Sequence, residues 1–424
     1  MNLLIIAIFV IGYAAIAFEH PLRINKTASA LLTGVLCWVI YIMIATDTEL
    51  VSEQLYEHLG QISGILFFLL GAMTIVELID AHDGFDVITS RIKTTDKRKL
   101  LWIISIITFF LSAVLDNLTT TIVMVSLLRK LIDEKPTRIF YVSMVVLAAN
   151  AGGAWSPIGD VTTTMLWIGG QVTSGNLIFN LFLPSLVCLI IPLIVLSFSL
   201  KGKIENPVVI ENRQVDKTSS FERKLIFSLG IGALLFVPFF KTITHLPPFM
   251  GMLFGLAVLW IVTEIIHKNK NDADKDAYSV VHALRKADVP SVLFFLGILV
   301  AISSLESTGQ LRDLATYMDE KIGNLNIIVI SIGLLSSIVD NVPLVAAGMG
   351  MYDMATYPTN HYFWSFLAYC AGTGGSCLII GSAAGVAAMG MEKIDFLWYL
   401  KNIAGLALSG YLAGAAVFLL QHYF

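Results

Sequence analysis

Charge is scarce in this 424-residue chain: 14% of its residues are Asp, Glu, Lys or Arg, 56% are hydrophobic, and the mean hydropathy is +0.79. So few charges cannot cover the surface of a soluble globular domain, which excludes that class and indicates an integral membrane protein. The ten-residue alternation of a membrane barrel is missing as well, so the spanning elements are read as helices. The net charge of -4 comes with no acidic tail or basic arm, which argues against a nucleic-acid partner. Cysteine is sparse: Cys37, Cys188, Cys370 and Cys377 sit in apolar sequence without metal-ligand spacing and read as small buried residues. Met1-Asn2-Leu3-Leu4 offers neither a basic leader nor a cleavage site, and it lacks the Arg- and Ser-rich character of a transit peptide. The first apolar run is therefore expected to be a retained span.

What the chain does have is a series of apolar runs near the ~20 residues that cross a bilayer. Between charged breaks they fall at 2–18, 28–45, 62–81, 100–132, 139–168 and 177–200. After a polar linker at 201–224 the order returns at 225–244, 249–267, 289–307, 326–352, 362–390 and 402–421. The motif Leu111-Ser-Ala-Val-Leu-Asp116-Asn117 recurs 224 residues later as Leu335-Ser-Ser-Ile-Val-Asp340-Asn341. Other anchors keep the same order: Gly12 and Gly34 with Gly232 and Gly255, Gly71 with Gly297, and Gly152-Gly153 and Gly159 with Gly374-Gly375 and Gly381. An ordered series at near-constant offset indicates a duplication, with residues 1–200 as the first repeat and 225–424 as the second.

Lysine and arginine positions test orientation. With the N-terminus outside and each interrupted region (100–132 and 326–352) a re-entrant hairpin, all but three of the 27, namely Lys241, Arg312 and Lys321, fall on the inner side. Length favours hairpins over span pairs, since Leu100 to Leu115 and Leu118 to Leu131 are both shorter than a comfortable crossing. Each half then holds five transmembrane helices, one of them broken (139–168 and 362–390), plus one hairpin. An odd number of crossings sets the second half in inverted topology. The expectation is an all-α polytopic membrane protein of two inverted-topology repeats, with both termini periplasmic. That is the architecture of secondary transporters, whose sites lie at the midplane where irregular backbone lines a cavity.

A charged Asp at the bilayer centre costs about 2.5 to 3.5 kcal/mol, so Asp116, Asp160 and Asp340 need a compensating role. A helix ending at Leu115 directs unpaired carbonyls at the hairpin tip and one starting near Leu118 directs amides there, so Asp116 and Asn117 stand at an ion site; Asp340 and Asn341 repeat the design. Capping alone would be served by Ser or Asn without a charge. The broken span 150–164 adds Asn150, Ser156, Asp160, Thr162 and Thr163; its counterpart has Ser376 and Ser382 but no acid. Carboxylate, amide and hydroxyl oxygens suit a hard cation such as Na+ or Li+, held at Asp116, Asn117, Asp340 and Asn341. The same carboxylates bind protons, and competition between the two ions is the simplest chemistry of antiport. Thr119 and Thr120 flank the first tip; Glu77 and Asp80 share a helix face nearby, and either contribute or mark an interfacial helix end. His82 and Trp155 read more simply as interfacial and packing residues. Gly159-Asp160 is a poor remnant of the Gly-x-Gly-Asp signature of intramembrane aspartyl proteases, a reading that leaves the repeat unexplained.

Leu115-Asp-Asn-Leu-Thr-Thr-Thr121, Asn150-Ala-Gly-Gly-Ala-Trp-Ser-Pro-Ile-Gly-Asp160 and Asp340-Asn-Val-Pro-Leu344 resemble the NhaD family of sodium/proton antiporters, in the ion transporter superfamily, over about Gly71 to Gly390. The resemblance implies export of Na+ or Li+ in exchange for protons across a bacterial inner membrane, favoured at alkaline pH, in a homodimer, with no cofactor beyond the transported ions. It implies roles for Asp116, Asn117, Asn150, Asp160, Thr162, Thr163, Asp340 and Asn341, and for Ser376 and Ser382. Citrate and dicarboxylate transporters of the superfamily are similar in architecture but carry Ser-Asn-Thr at the tips. Asp in place of that Ser argues against the alternative, a Na+-coupled symporter of a small anion such as a dicarboxylate.

Overall fold

The computed structural model describes all residues except 1, 18, 90, 91, 93, 201, 205–217, 269, 271 and 424. Most of the 201–224 linker thus lies outside the described residues. Among the described residues there is no strand, only an isolated bridge between Asp96 and Lys203. The first half runs α1 (Asn2–Ala17), α2 (Glu19–Leu22), α3 (Lys26–Ile44), α4 (Thr48–Ala81), α5 (Asp86–Thr89), α6 (Lys97–Leu115), α7 (Asn117–Leu131), α8 (Lys135–Ala154), α9 (Val161–Ile168) and α10 (Ser174–Ser199). The second runs α11 (Ser220–Thr244), α12 (Pro248–Ile266), α13 (Asp272–Ala277), α14 (Val280–Lys286), α15 (Val289–Ser307), α16 (Gln310–Ile322), α17 (Leu325–Leu335), α18 (Asn341–Met351), α19 (Tyr362–Gly374), α20 (Ala383–Glu392), α21 (Phe396–Asn402) and α22 (Ala404–Tyr423). Eight of these, α3, α4, α6, α10, α11, α12, α15 and α22, are long and apolar enough to cross a membrane, which makes this a multi-pass membrane protein.

Polar caps set where the apolar runs begin. Asp47 accepts the amides of Glu49 and Leu50 to start α4, Asp96 that of Lys99 to start α6, and Ser219 forms a capping box with Glu222 at α11. Two expectations need correction. The run expected at 62–81 is the latter part of a 34-residue helix, about 51 Å long at 1.5 Å per residue, because Asp47 starts the helix before hydropathy rises. The first hairpin arm is also not short: α6 has 19 residues and qualifies as a crossing by length, whereas α7 has 15. The outer ends of these two arms nevertheless approach, with Lys97 Nζ 3.7 Å from Glu134 just beyond α7.

Helix pairings repeat when the halves are exchanged. α3 packs on α15 as α12 packs on α4, α7 on α20 as α18 on α9, and α6 on α8 as α17 on α19, while α10 meets its own counterpart α22. Atomic contacts repeat too. Ser112 Oγ donates to Ala149 O at 2.6 Å, and Ser336 Oγ donates to Ala371 O at 2.7 Å. A Cβ on Gly152 would lie 2.2 Å from Phe109 O, and one on Gly374 would lie 1.9 Å from Gly333 O, so glycine is required where each broken helix crosses its neighbour. The densest pairings gather the helices into two bodies, α1, α3, α4, α11, α12 and α15 in one and α6–α10 with α17–α22 in the other, which meet where α15 packs on α18 and α4 on α9.

Candidate ion site

Asp160 is the centre of the buried polar network. It is the N-cap of α9, and its Oδ1 accepts Thr162 N at 2.9 Å and Thr162 Oγ1 at 2.8 Å. Asn117, at the start of α7, donates Nδ2 to Asp160 Oδ2 at 2.7 Å. Asn341, at the start of α18, donates to both Asp160 oxygens at 3.3 and 3.2 Å. The side-chain amides at the starts of α7 and α18 therefore converge on one carboxylate from opposite halves of the chain. Asn117 Nδ2 also lies 3.0 Å from Asn150 Oδ1, and Asn150 donates to Ser376 Oγ at 2.8 Å and Ser382 Oγ at 2.9 Å. Asn117, Asn150, Asp160, Asn341, Ser376 and Ser382 are all buried. Such a network is stable only because each member finds partners.

Asp116 is both the C-cap of α6 and the N-cap of α7, at φ 90° and ψ 160°. That backbone region is essentially reserved for glycine, at a cost of about 1–3 kcal/mol. Its Oδ1 accepts Thr119 N and its Oδ2 accepts Thr119 Oγ1, both at 2.8 Å. Asp340 caps α18 from ordinary backbone, φ -49°, and has one long bond, from Val342 N at 3.4 Å. The residue equivalent to Thr119 is Pro343, with neither amide hydrogen nor hydroxyl, which is why the second carboxylate is freer. Asp116, Asn117, Asp160 and Asp340 all line one cavity of about 60 Å3, with room for a few water-sized groups, that reaches Lys26 and Phe294 at the start of the first body's helices.

Sequence reasoning put Asp116 and Asp340 first with Asp160 as a helper, whereas the hydrogen bonds make Asp160 the meeting point. Thr162 points at that carboxylate, while Thr163 donates instead to the Asp160 carbonyl at 2.9 Å. Ser156 is buried, and its hydroxyl accepts the Ile158 amide at 3.4 Å rather than joining the network. Thr120 is buried with no partner for its hydroxyl among the described residues. Glu77 and Asp80 line a neighbouring cavity of about 360 Å3, with Thr119, Lys286 and Asp288, rather than the one that holds Asp116; Glu77 pairs with Lys286 at 3.6 Å. His82 stacks on His267, with ring centroids 5.1 Å apart. Trp155 packs between Phe109 and Phe182 as expected. Lys26 and Phe294 were missed, because nothing local marks them as cavity walls. Ser112 and Ser336 stand inside the repeated motif, where each hydroxyl ties its helix to the carbonyl of a neighbouring broken helix.

A family model described as "Citrate transporter" matches residues 13–372. "Sodium/proton antiporter 2" of Arabidopsis thaliana is 48% identical over 98% of this chain and 99% of its own length, and "Sodium/proton antiporter 1" of the same plant is 50% identical over 98% and 72%. "Na(+)/H(+) antiporter NhaD" of Vibrio cholerae is 32% identical over 93% of this chain and 86% of its own length. The chain belongs to the NhaD-type sodium/proton antiporter family. Within an NhaD-type chain the asymmetry of the two broken helices becomes specific. α9 is capped by Asp160, whereas α20 is capped by Ser382, whose Oγ accepts Gly385 N at 3.1 Å. The two caps do the same structural work and only one carries charge.

Proposed function

We propose that this NhaD-type protein exchanges Na+ or Li+ for protons by alternating access, with Asp116 and Asp340 taking cation or proton in turn. The observation that carries the reading is the convergence of three carboxylates on one cavity, one of which, Asp160, takes the side-chain amides of both Asn117 and Asn341. Asp160 has its lone pairs occupied and anchors the two tip amides. Asp340 has the fewest donors and offers open coordination, and Asp116 is held ready by Thr119. A cation displaces protons from these oxygens by Coulombic competition, and emptying the site returns them. Carbonyls at the end of α6 and the oxygens of Asn150, Thr162, Ser376 and Ser382 complete the surroundings.

The two helix-break-helix elements act in this reading as re-entrant hairpins of inverted repeats, 1–200 and 225–424, which the exchange symmetry of the pairings supports. The family resemblance and the lysine–arginine distribution support a homodimer in a bacterial inner membrane with periplasmic termini; the bacterial membrane rests on the NhaD relative alone, which is less similar, at 32%, than the two Arabidopsis relatives at 48% and 50%. The family model's description favours a second reading, Na+-coupled uptake of a tricarboxylate or dicarboxylate. Everted proteoliposomes decide between them. Na+ should dissipate an imposed proton gradient in the wild type and not in Asp116→Asn. Unchanged dissipation in that variant, or Na+ uptake that requires citrate, overturns the antiport reading.

A further inference from the structure

Lys241 is one of three basic residues that the charge distribution leaves on the outer side, and the ion site does not use it. Its Nζ, from α11 in the first body, donates to Trp167 O in the second body at 2.7 Å and lies 4.7 Å from the centre of the same residue's ring. Trp167 is 1% exposed and sits in the last turn of α9, the eight-residue helix whose other end is capped by Asp160. A cation at a helix C-terminus is favoured by the helix dipole, and an indole face adds to the attraction. The same Trp167 ring meets Phe68 of α4 edge-on, with centroids 6.5 Å apart, and Phe68 lines the cavity that holds Asp116 and Asp160. α9 is thus held at one end by the ion network and at the other by a cation from the opposing body. The cavity reaches Lys26 and Ser291, at the starts of α3 and α15, whereas the Lys241 end is closed by Trp167 and Phe68.

We infer that Lys241 is a positioning residue for transport: it ties α9 to the first body while the ion cavity is open at the Lys26 end, and its release lets the site open at the other. This rests on the exchange reading above, which supplies the need for two access states. A helix this short transmits a hold on Trp167 directly to Asp160, about 10.5 Å away at 1.5 Å per residue.

The test uses the full-length protein in right-side-out vesicles with Ala72→Cys as reporter, a cavity-lining position that leaves Phe68 and Trp167 in place. The four native cysteines are buried and give a low background. A membrane-impermeant maleimide is added outside to Ala72→Cys alone and combined with Lys241→Met, Lys241→Gln or Lys241→Arg. Labelling should rise several-fold with Met and Gln and stay near the parent with Arg, which keeps both the charge and the donor. A merely structural lysine would lower the melting temperature without changing the labelling rate. Equal labelling in all backgrounds that fold overturns the inference. Na+-driven proton flux in the parent is measured in parallel, so failure of the exchange reading shows as absent flux while the labelling comparison still stands.

Discussion

Asp116 and Asp340 hold the same place in the two halves and are kept there in opposite ways. The first is forced into a glycine-like backbone and tied by both carboxylate oxygens to Thr119; the second sits in relaxed backbone with one 3.4 Å bond. One substitution, Pro343 where the first half has Thr119, accounts for the difference in donors. The broken helices differ in the same spirit, with Asp160 against Ser382 as cap. Between the two halves the backbone crossings correspond and the polar groups differ, so what they share is packing and what separates them is charge.

Erasing the charge asymmetry should have the largest effect. Asp160→Ser gives α9 the cap that α20 already has, so the protein should still fold. Na+-driven proton flux in proteoliposomes should nevertheless fall to the level of empty vesicles, and flux that survives would show the asymmetry to be idle. The symmetric part breaks next. Gly152→Ala and Gly374→Ala each drive a methyl into a neighbouring backbone, and each should cost about 1–3 kcal/mol or more in thermal melts. Gly232→Ala, with nothing within 4 Å, should instead stabilise by about 0.5–1 kcal/mol. A smaller contrast separates the tips themselves. Asp116→Gly loses a cap but relieves strain, whereas Asp340→Gly loses a cap alone, so the first variant should melt higher, by up to about 1–3 kcal/mol.

The smallest effect concerns pH. His82 and His267 stack at the ends of α4 and α12, faced by Lys270, Glu222, Asp83 and Tyr278. Burial pushes both below the usual histidine range, His267 to about 4. The corresponding ends of α15 and α3 carry Thr308 and Ala45, so the device exists in one half-pairing only. Because the folded form resists protonation, stability is full above the unfolded value of about 6.5 and falls as pH drops toward 4, then levels off. His267→Gln should flatten the melting temperature over that window; an unchanged slope would remove these histidines from the account.

Much of this was readable in the chain. The helix breaks at Asp116 and Asp340, the glycines of the broken helices and their order follow from apolar runs and from recurring motifs whose backbone contacts correspond. Asp160 as the meeting point was not readable, because the donors Asn117 and Asn341 reach it only through tertiary structure. The roles of Thr162 and Thr163 diverge although they are neighbours, since the cap geometry turns one hydroxyl to the carboxylate and the other to the carbonyl. Residues 48–61 lack the hydropathy of a span and became helical through Asp47. The His82 partner lies on another helix, and no local pattern announces it.

The exchanged pairings also dictate an order of assembly. Asn341 meets Asp160 across 181 residues, and α3 and α4 find their partners α15 and α12 only in the second half. During synthesis the first half therefore waits in the membrane with a carboxylate short of a donor and helices short of their neighbours. Residence with an insertion chaperone, and vulnerability to membrane proteases, should last until α18 has emerged. Truncation before residue 341 should accordingly shorten the lifetime of the first half more than its own packing alone would suggest.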